Sequence, residues 1–247
     1  MISKLYWFWY LVGLLLMSFY HVPSFLSFSN GLFLIFLTLH VLTQYHKRIA
    51  REQRTALYTT SLVIFLSTFL LEWIGTETGF PFGDYHYTSV LGLSLFGVPL
   101  AIACAWIAIL LMARSFTPIA WSRPKRAAIA ALYAVALDLV LDPAAHAMQF
   151  WQWAPDQWAM YDVPFQNFAA WYVTAFVLLL LLPIPDWKDS PTPLVRTYQG
   201  LLIMFGVLCA KHGMPLLLLA AAGWIAIVEW REKWRGSHAH RKQTKVV

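Results

Sequence analysis

Charged residues are scarce in this chain. Only 12% of its 247 residues are charged, whereas 60% are hydrophobic and 17% are aromatic. Soluble domains carry charge on about a quarter of their residues, so this composition argues against an ordinary soluble domain and predicts an integral membrane protein in contact with the lipid bilayer. The net charge is +6, but the basic residues lie between or after apolar runs, so we assign no nucleic-acid partner.

Cysteines and metal-binding motifs are also scarce. Cys104 and Cys209 lie within apolar runs without CxxC or CxxH spacing, and the chain has no HExxH motif and no dense histidine cluster. This pattern argues against a disulfide framework, a zinc site and a membrane di-iron centre. Two acid–histidine pairs could supply metal ligands, but we interpret these histidines as hydrogen-bonding or interfacial and predict no metal. The pairs are Asp84 with His86 and Asp142 with His146.

Long apolar runs are abundant. A membrane-spanning helix needs about 20 mostly apolar residues, and the sequence has eight such runs, at 5–21, 28–46, 56–75, 95–114, 126–142, 165–183, 196–211 and 214–230. They predict an all-α fold, a polytopic bundle of about eight transmembrane helices in a single domain, 1–247, without an internal repeat. The last two runs are joined only by KHGMP, which fits either a tight hairpin or one broken span.

Lysine and arginine are distributed unevenly between the connections. If the N-terminus is cytoplasmic, all of the 18 basic residues except Lys211 fall on the cytoplasmic side. Because basic residues concentrate on that side of membrane proteins, we predict that both termini are cytoplasmic and that 231–247 is a basic cytoplasmic tail. The polar connections 76–94 and 142–165 then lie on the non-cytoplasmic side, and neither contains a basic residue.

Two carboxyl groups fall inside the predicted spans. A carboxylate within a membrane is costly by a few kcal/mol or more, so it usually faces the bundle interior, is paired or stays protonated. At about 1.5 Å of rise per residue, Glu72 and Asp138 both lie in the outer half of the bilayer. Neither has a basic partner within a span, so we expect a neutral carboxyl group, which is what a general acid requires.

Simpler interpretations of these acids stay open. Glu72 could extend to the interface, and Asp138 could hydrogen-bond to a tyrosine or serine of another helix. Asp142 lies one turn after Asp138 on the same helix face, but it precedes Pro143 and could equally cap a new helix over 143–151. Lys211 could in principle form a Schiff base with retinal, but its place at a span end favours an interfacial lysine.

A set of fragments, each weak alone, is more specific in its order and spacing. They are Glu72, Gly79, PFGDYHY (81–87), LG and FGVP within 91–99, Trp106, DLVLDP (138–143), FWQW (150–153) and YDVPFQNFAAW (161–171). Together they resemble the membrane carotenoid hydratases of the bacterioruberin and γ-carotene pathways, over roughly residues 60 to 185. Two departures, DVP where GVP is common and no glycine before the last tryptophan, bear on the substrate more than on the family.

The resemblance implies an enzyme of a bacterial or archaeal cytoplasmic membrane that adds water across the terminal C1=C2 double bond of an acyclic (ψ) carotenoid end group, without a cofactor. A carboxylic acid would protonate C2, and water would capture the tertiary cation at C1. We expect Asp138 or Glu72 to be the proton donor. Water would be oriented by Asp142, Asp84, His86 and Asn167, and the pocket would be shaped by Tyr85, Tyr87, Trp153 and Trp171. The Gly- and Pro-rich segment 79–99 would fold over Glu72 and Asp138 as a lid.

Other functions fit parts of the pattern. A lycopene cyclase also begins by protonating an end group, and a small transporter or carotenoid-binding protein could use buried acids as a proton relay. Prenyl transfer is disfavoured because no DDxxD-like pair of magnesium-binding carboxylates is present. The many aromatic residues fit interfacial belts as well as a polyene pocket, in which ring faces could stabilise a cation.

Overall fold

The protein is a bundle of α-helices. A computed structural model describes residues 1–20, 23–155, 158–187 and 191–243. Over these residues it contains eight α-helices: α1 (Ile2–Phe19), α2 (Phe28–Arg48), α3 (Arg54–Thr78), α4 (Leu100–Ser115), α5 (Arg123–Ala147), α6 (Phe165–Leu181), α7 (Thr192–Lys211) and α8 (Pro215–Gln243). Among these residues, five helical segments are long and apolar enough to cross a membrane, and α4 and α6 are apolar but shorter. The prediction of an all-α membrane bundle is confirmed.

The helix boundaries differ from the predicted runs at two informative places. Helix α4 begins at Leu100 rather than at 95, because the residues before it form a hairpin that ends in Pro99. Helix α5 continues through Pro143 to Ala147. A proline inside a helix costs about 3 kcal/mol, and here the turns on both sides of it are buried against other helices. The alternative of a new helix over 143–151 is therefore wrong, and the polar connection begins after residue 147.

The last two apolar runs form two separate helices. Helices α7 and α8 turn back on each other at residues 212–214, where Gly213 has a φ of +84°. The helices approach closely at Gly206, where an added Cβ would lie 3.1 Å from the Cβ of Ala221. Small residues permit this kind of close packing in membranes. Helix α8 extends to Gln243, so most of the predicted basic tail has helical backbone, and residues 244–247 lie outside the described part of the chain.

The two long polar connections meet at one end of the bundle. Strand β1 (Tyr85–Tyr87) in the first connection pairs antiparallel with strand β4 (Trp151–Trp153) in the second. We call this pair the lid and this end of the bundle the lid end. Each connection also contains a small hairpin, β2 (Ser94–Leu95) with β3 (Val98–Pro99) and β5 (Ala159–Met160) with β6 (Val163–Pro164).

These elements form an internal repeat. A helix, a lid strand, a hairpin ending in Val-Pro and a second helix occur in the order α3, β1, β2–β3, α4 and again in the order α5, β4, β5–β6, α6. Both hairpins turn through two residues of positive φ, Phe96 and Gly97 in one and Tyr161 and Asp162 in the other, as in a type I′ turn. The prediction of no internal repeat is therefore wrong. The repeat is not evident in the sequence because the two copies share a backbone plan but few residues.

The repeat brings corresponding side chains together. Trp106 and Trp171 lie at the same distance after the two Val-Pro pairs, and their rings stack with centroids 3.7 Å apart and an interplanar angle of 14°. Glu72 of α3 and Asp138 of α5 occupy matching positions before the two lid strands. The region of the predicted site is thus the interface between the two copies.

Candidate active site

The lid points aromatic side chains into the bundle. Successive side chains of a strand point to opposite faces, so Tyr85 and Tyr87 face inward, and His86 between them is exposed. Strand β4 repeats this pattern with Trp151 and Trp153, which are buried. The lid therefore covers the bundle end with four aromatic rings.

The register of the lid brings these rings into contact. Tyr85 lies opposite Trp153, and Tyr87 lies opposite Trp151. Backbone hydrogen bonds from Thr88 N–H to the Phe150 carbonyl, and from Ala154 N–H to the Asp84 carbonyl, flank these pairs. Both aromatic pairs thus occupy non-hydrogen-bonded positions, where facing side chains are closest. The ring centroids of Tyr85 and Trp153 are 4.8 Å apart.

Glu72 is held by three donors beneath the lid. Its Oε2 accepts hydrogen bonds from the hydroxyls of Tyr85 at 2.5 Å and Tyr87 at 2.8 Å, and its Oε1 accepts one from Trp106 Nε1–H at 2.8 Å. Gly75, one turn further along α3, makes room for this arrangement, because an added Cβ would lie 2.9 Å from the Tyr85 hydroxyl. Glu72 is buried, so it does not extend to the interface.

Asp142 and Asp138 form a second acidic group on α5. Asp142 Oδ1 accepts a hydrogen bond from Trp151 Nε1–H at 2.6 Å, and its Oδ2 accepts one from the side-chain amide of Asn167. The same amide donates to Asp138 Oδ2 at 3.2 Å. Asp138 Oδ1 is buried and has no hydrogen-bond partner among the described residues. Asp142 is therefore not a helix cap, and the partner of Asp138 is an asparagine, not a tyrosine or serine.

A cavity of about 60 Å³ lies between the two acidic groups. Glu72 and Asp142 line it directly, together with Asn167. Asp138 is not among the residues that line the cavity, so it lies behind Asp142 and Asn167. The remaining walls are aromatic or aliphatic and include the other predicted pocket residues Tyr85, Tyr87, Trp153 and Trp171.

Two predicted site residues lie elsewhere. Asp84 and His86 are exposed on the lid and do not line the cavity. Both residues flank Tyr85 in the sequence. Because alternate residues of an extended segment face opposite sides, their proximity to Tyr85 does not place them in the cavity. Two tryptophans that the prediction did not place in the site, Trp106 and Trp151, donate to its carboxyl groups. The alternation of WQW, which matches that of YHY, was the available signal for Trp151.

None of the described residues that line the cavity is a lysine, arginine or histidine. Lys211 lies at the protein surface, where its Nζ donates to the carbonyls of Met17 and Tyr20. Within the described parts of the chain, no group of three His, Cys, Asp or Glu residues is arranged to hold a metal ion. The carboxyl groups therefore have only neutral hydrogen-bond donors as partners.

The lid tyrosines are held in their neutral form. Burial raises the pKa of Tyr85 and of Tyr87 well above the ordinary value, and the nearby Glu72 carboxylate raises both further. Both hydroxyls thus remain protonated at neutral pH and can donate to Glu72. The cavity combines hydrogen-bonded acids with aromatic faces and excludes positive charge, which suits a reaction through a carbocation.

Comparison with known proteins identifies the family. A family model described as "carotenoid biosynthesis protein" matches residues 29–229. The chain belongs to this family. The predicted resemblance to carotenoid biosynthesis proteins is thereby confirmed.

One curated relative of this family member is a bisanhydrobacterioruberin hydratase from Haloarcula japonica. It is 31% identical over 140 residues, which cover 53% of this chain and 45% of the relative. The match thus spans less than half of the relative's length. No solved structure matches the chain.

Proposed function

We propose that this protein is a carotenoid hydratase that adds water across the C1=C2 double bond of an acyclic (ψ) end group. Family membership and the name of the curated relative support carotenoid hydration. The observation that carries the proposal is one aromatic cavity lined by two carboxyl groups with different hydrogen-bond partners, Glu72 with three donors and Asp142 with two. This difference suits an acid–base pair.

In this proposal Asp142 is the acid. Three carboxyl groups without a cation cannot all be ionised in a low-dielectric site, because desolvation and mutual repulsion both oppose it. Glu72 receives the most donors, which favours its carboxylate form, so the protons reside on the aspartates. Asp142 lines the cavity and Asp138 does not. We therefore assign the donor role to Asp142 rather than to Asp138 or Glu72, and Asp138 acts behind it through Asn167.

The reaction then has two steps. Asp142 transfers its proton to C2, the π bond breaks, and the positive charge develops at C1. The ring faces of Trp153 and Tyr85 and the negative charge of Glu72 stabilise this tertiary cation. Water attacks C1, its oxygen forms the new C–O bond, and its released proton passes to Glu72. Transfer of one proton from Glu72 back to Asp142 completes the cycle, so no redox cofactor is required.

We also propose that the lid end faces the non-cytoplasmic side of a cytoplasmic membrane. The lid connections contain no basic residue, whereas the connections at the other end contain most of them. Arginine and lysine concentrate on the cytoplasmic side. The carotenoid end group would then react in the outer half of the bilayer.

Product analysis tests the proposed function. The gene is expressed in a bacterium engineered to make lycopene. The pigments are separated by chromatography, and their masses are measured by mass spectrometry. We expect a pigment heavier by one or two water molecules, with tertiary hydroxyl groups at C1. A product with unchanged mass and a cyclised end group would identify a cyclase, and unaltered lycopene would contradict hydration of this substrate.

A further inference from the structure

An apolar groove lies beside the acidic cavity. It has a volume of about 220 Å³ and runs along α1 between Phe8 and Met17, bounded by the start of α2, the end of α5 and the second half of α7. Among the described residues that line it, none is charged, and Ser29 and Asn30 are the residues with short polar side chains. At about 1.5 Å per residue, the α1 side of the groove is about 14 Å long.

The groove and the cavity share a wall. Leu34, Phe150 and Phe205 line both of them. These three residues therefore form a junction, with carboxyl groups on one side and hydrocarbon surface on the other. A ligand that spans the junction must combine a long apolar chain with an end group that reacts with acid.

The groove also opens to the surrounding lipid. Phe8, Val12 and Leu16 line it, and their side chains are 62%, 38% and 39% exposed. Helix α1 has few buried residues, so on this side of the bundle a single helix separates the groove from the lipid. A hydrophobic substrate can therefore enter sideways from the bilayer without passing the lid.

We propose that this groove binds the polyene chain of the carotenoid and that the junction of Leu34, Phe150 and Phe205 delivers only its end group to Glu72 and Asp142. The aromatic walls suit a flat conjugated chain better than a disordered acyl chain. This inference rests on the proposed function and adds the location of the substrate chain.

Gly13 provides the test. It lines the groove, and an added Cβ would lie 4.0 Å from the terminal methyl of Met204. Gly13→Ala therefore fits, whereas Gly13→Phe fills the groove. Gly223→Phe is the matched control, because Gly223 is an exposed helical glycine with no heavy atom within 4 Å of an added Cβ.

The measurement is the total amount of carotenoid, lycopene and its hydrated products together, that purifies with each protein from lycopene-producing cells. We expect about tenfold less pigment with Gly13→Phe, a factor typical of a misfit in an apolar pocket, and wild-type amounts with Gly13→Ala and Gly223→Phe. Equal binding by Gly13→Phe, or no pigment on the wild type, would overturn the proposal. The proposal would also be overturned if Gly13→Phe lost co-purifying phospholipid but retained carotenoid, because the groove would then bind a lipid.

A second measurement does not depend on how Gly13→Phe folds. Gly13→Cys and Gly223→Cys, each made with Cys104→Ala and Cys209→Ala, are treated with an apolar thiol reagent after purification. Added lycopene should slow labelling at position 13 about tenfold and leave position 223 unchanged; equal rates at position 13 would refute the groove. If the wild type binds carotenoid but does not hydrate it, the proposed reaction fails and the groove stands.

Discussion

At the scale of single residues, the site depends on neutral donors that meet buried carboxyl groups. The tryptophans Trp106 and Trp151 can only donate through their ring N–H, so they fix one oxygen of Glu72 and one of Asp142 as acceptors. The remaining oxygens face tyrosine hydroxyls or the Asn167 amide. Removing one partner would leave another buried polar group unsatisfied, which typically costs about 1–3 kcal/mol.

Replacing the proposed acid should abolish the reaction. We expect Asp142→Asn to lower the rate of hydration by about 100-fold to 10,000-fold, the usual contribution of general acid catalysis. The measurement is the initial rate of product formation per amount of membrane-inserted protein. Asp84→Asn is the matched control and should keep the wild-type rate, because Asp84 is exposed on the lid.

Asp138 distinguishes the donor from the group behind it. Asp138→Asn should reduce the rate less than Asp142→Asn, because Asp138 does not line the cavity. A larger loss with Asp138→Asn than with Asp142→Asn would assign the donor role to Asp138, one of the two donors that the sequence suggests.

The lid tyrosines predict a fall in stability at alkaline pH. Burial raises the pKa of Tyr85 in the folded protein, and the unfolded chain has the ordinary value of about 10. The unfolded state therefore loses its proton first, so the stabilising contribution is complete below pH 10 and declines above it. The melting temperature between pH 9 and about 11 should fall less steeply in Tyr85→Phe than in the wild type. An identical slope would contradict the burial of this hydroxyl. Tyr161→Phe serves as control, because Tyr161 is an exposed residue of the β5–β6 hairpin.

At the scale of elements, two copies of one helix–strand–hairpin–helix plan build the site. The same plan supports different chemistry in each copy, with Glu72 under tyrosines in one and Asp142 under a tryptophan in the other. The stacked pair Trp106 and Trp171 marks where the copies meet. An acid and a base thus arise from similar backbones with different side chains.

The lid should not need to open. If the carotenoid enters from the bilayer, joining the two lid strands will leave catalysis intact. His86 and Gln152 face each other across the lid, in a hydrogen-bonded pair whose Cα separation of about 5.5 Å is compatible with a disulfide. We expect the oxidised double variant His86→Cys and Gln152→Cys to hydrate lycopene at the wild-type rate. An inactive oxidised form that recovers on reduction would contradict lateral entry.

Sequence patterns predicted the elements unevenly. Hydropathy located all eight helices, because a membrane span requires a long apolar run. It missed that α5 continues through Pro143, since Asp-Pro more often begins a helix than lies within one. The lid pairing depends on contacts between distant segments, which no local pattern encodes, and the two copies of the repeat share too few residues to reveal it.

The candidate site was predictable only in part. The sequence indicates Glu72 and Asp138, because a carboxyl group in a span is costly. The cavity is lined by Glu72 and by Asp142, which lies one helical turn after Asp138, and the donors Trp106 and Trp151 were not predicted. Which acid lines a cavity depends on the packing of Asn167 and of the lid, and neither is visible in the spacing of residues along the chain.

At the scale of the whole molecule, charge and shape define two unlike ends. One end has the lid and the acidic cavity, and the other has basic residues that include an ionic cluster of Arg114 and Arg126 with Asp186. The apolar groove lies beside the cavity and is lined on its outer side by exposed residues of α1. The arrangement suits an enzyme that takes its substrate from the lipid and its water from the lid end.

The proposed orientation can be measured directly in cells. A membrane-impermeant thiol reagent should label His86→Cys on the lid of intact cells, and it should label Arg51→Cys only after the cells are permeabilised. Both native residues are exposed in the structure, so access to the reagent depends on the side of the membrane. The reverse pattern would place the lid in the cytoplasm.

The central claim is that water, and nothing else, supplies the new oxygen. The most direct test is to incubate the purified protein with lycopene in water enriched in oxygen-18, without dioxygen and without added cofactors, and to weigh the product. We predict a hydroxylated carotenoid that carries the heavy oxygen, formed by the wild type and not by Asp142→Asn. A product without the heavy label, or one formed only when dioxygen or a reductant is added, would contradict hydration.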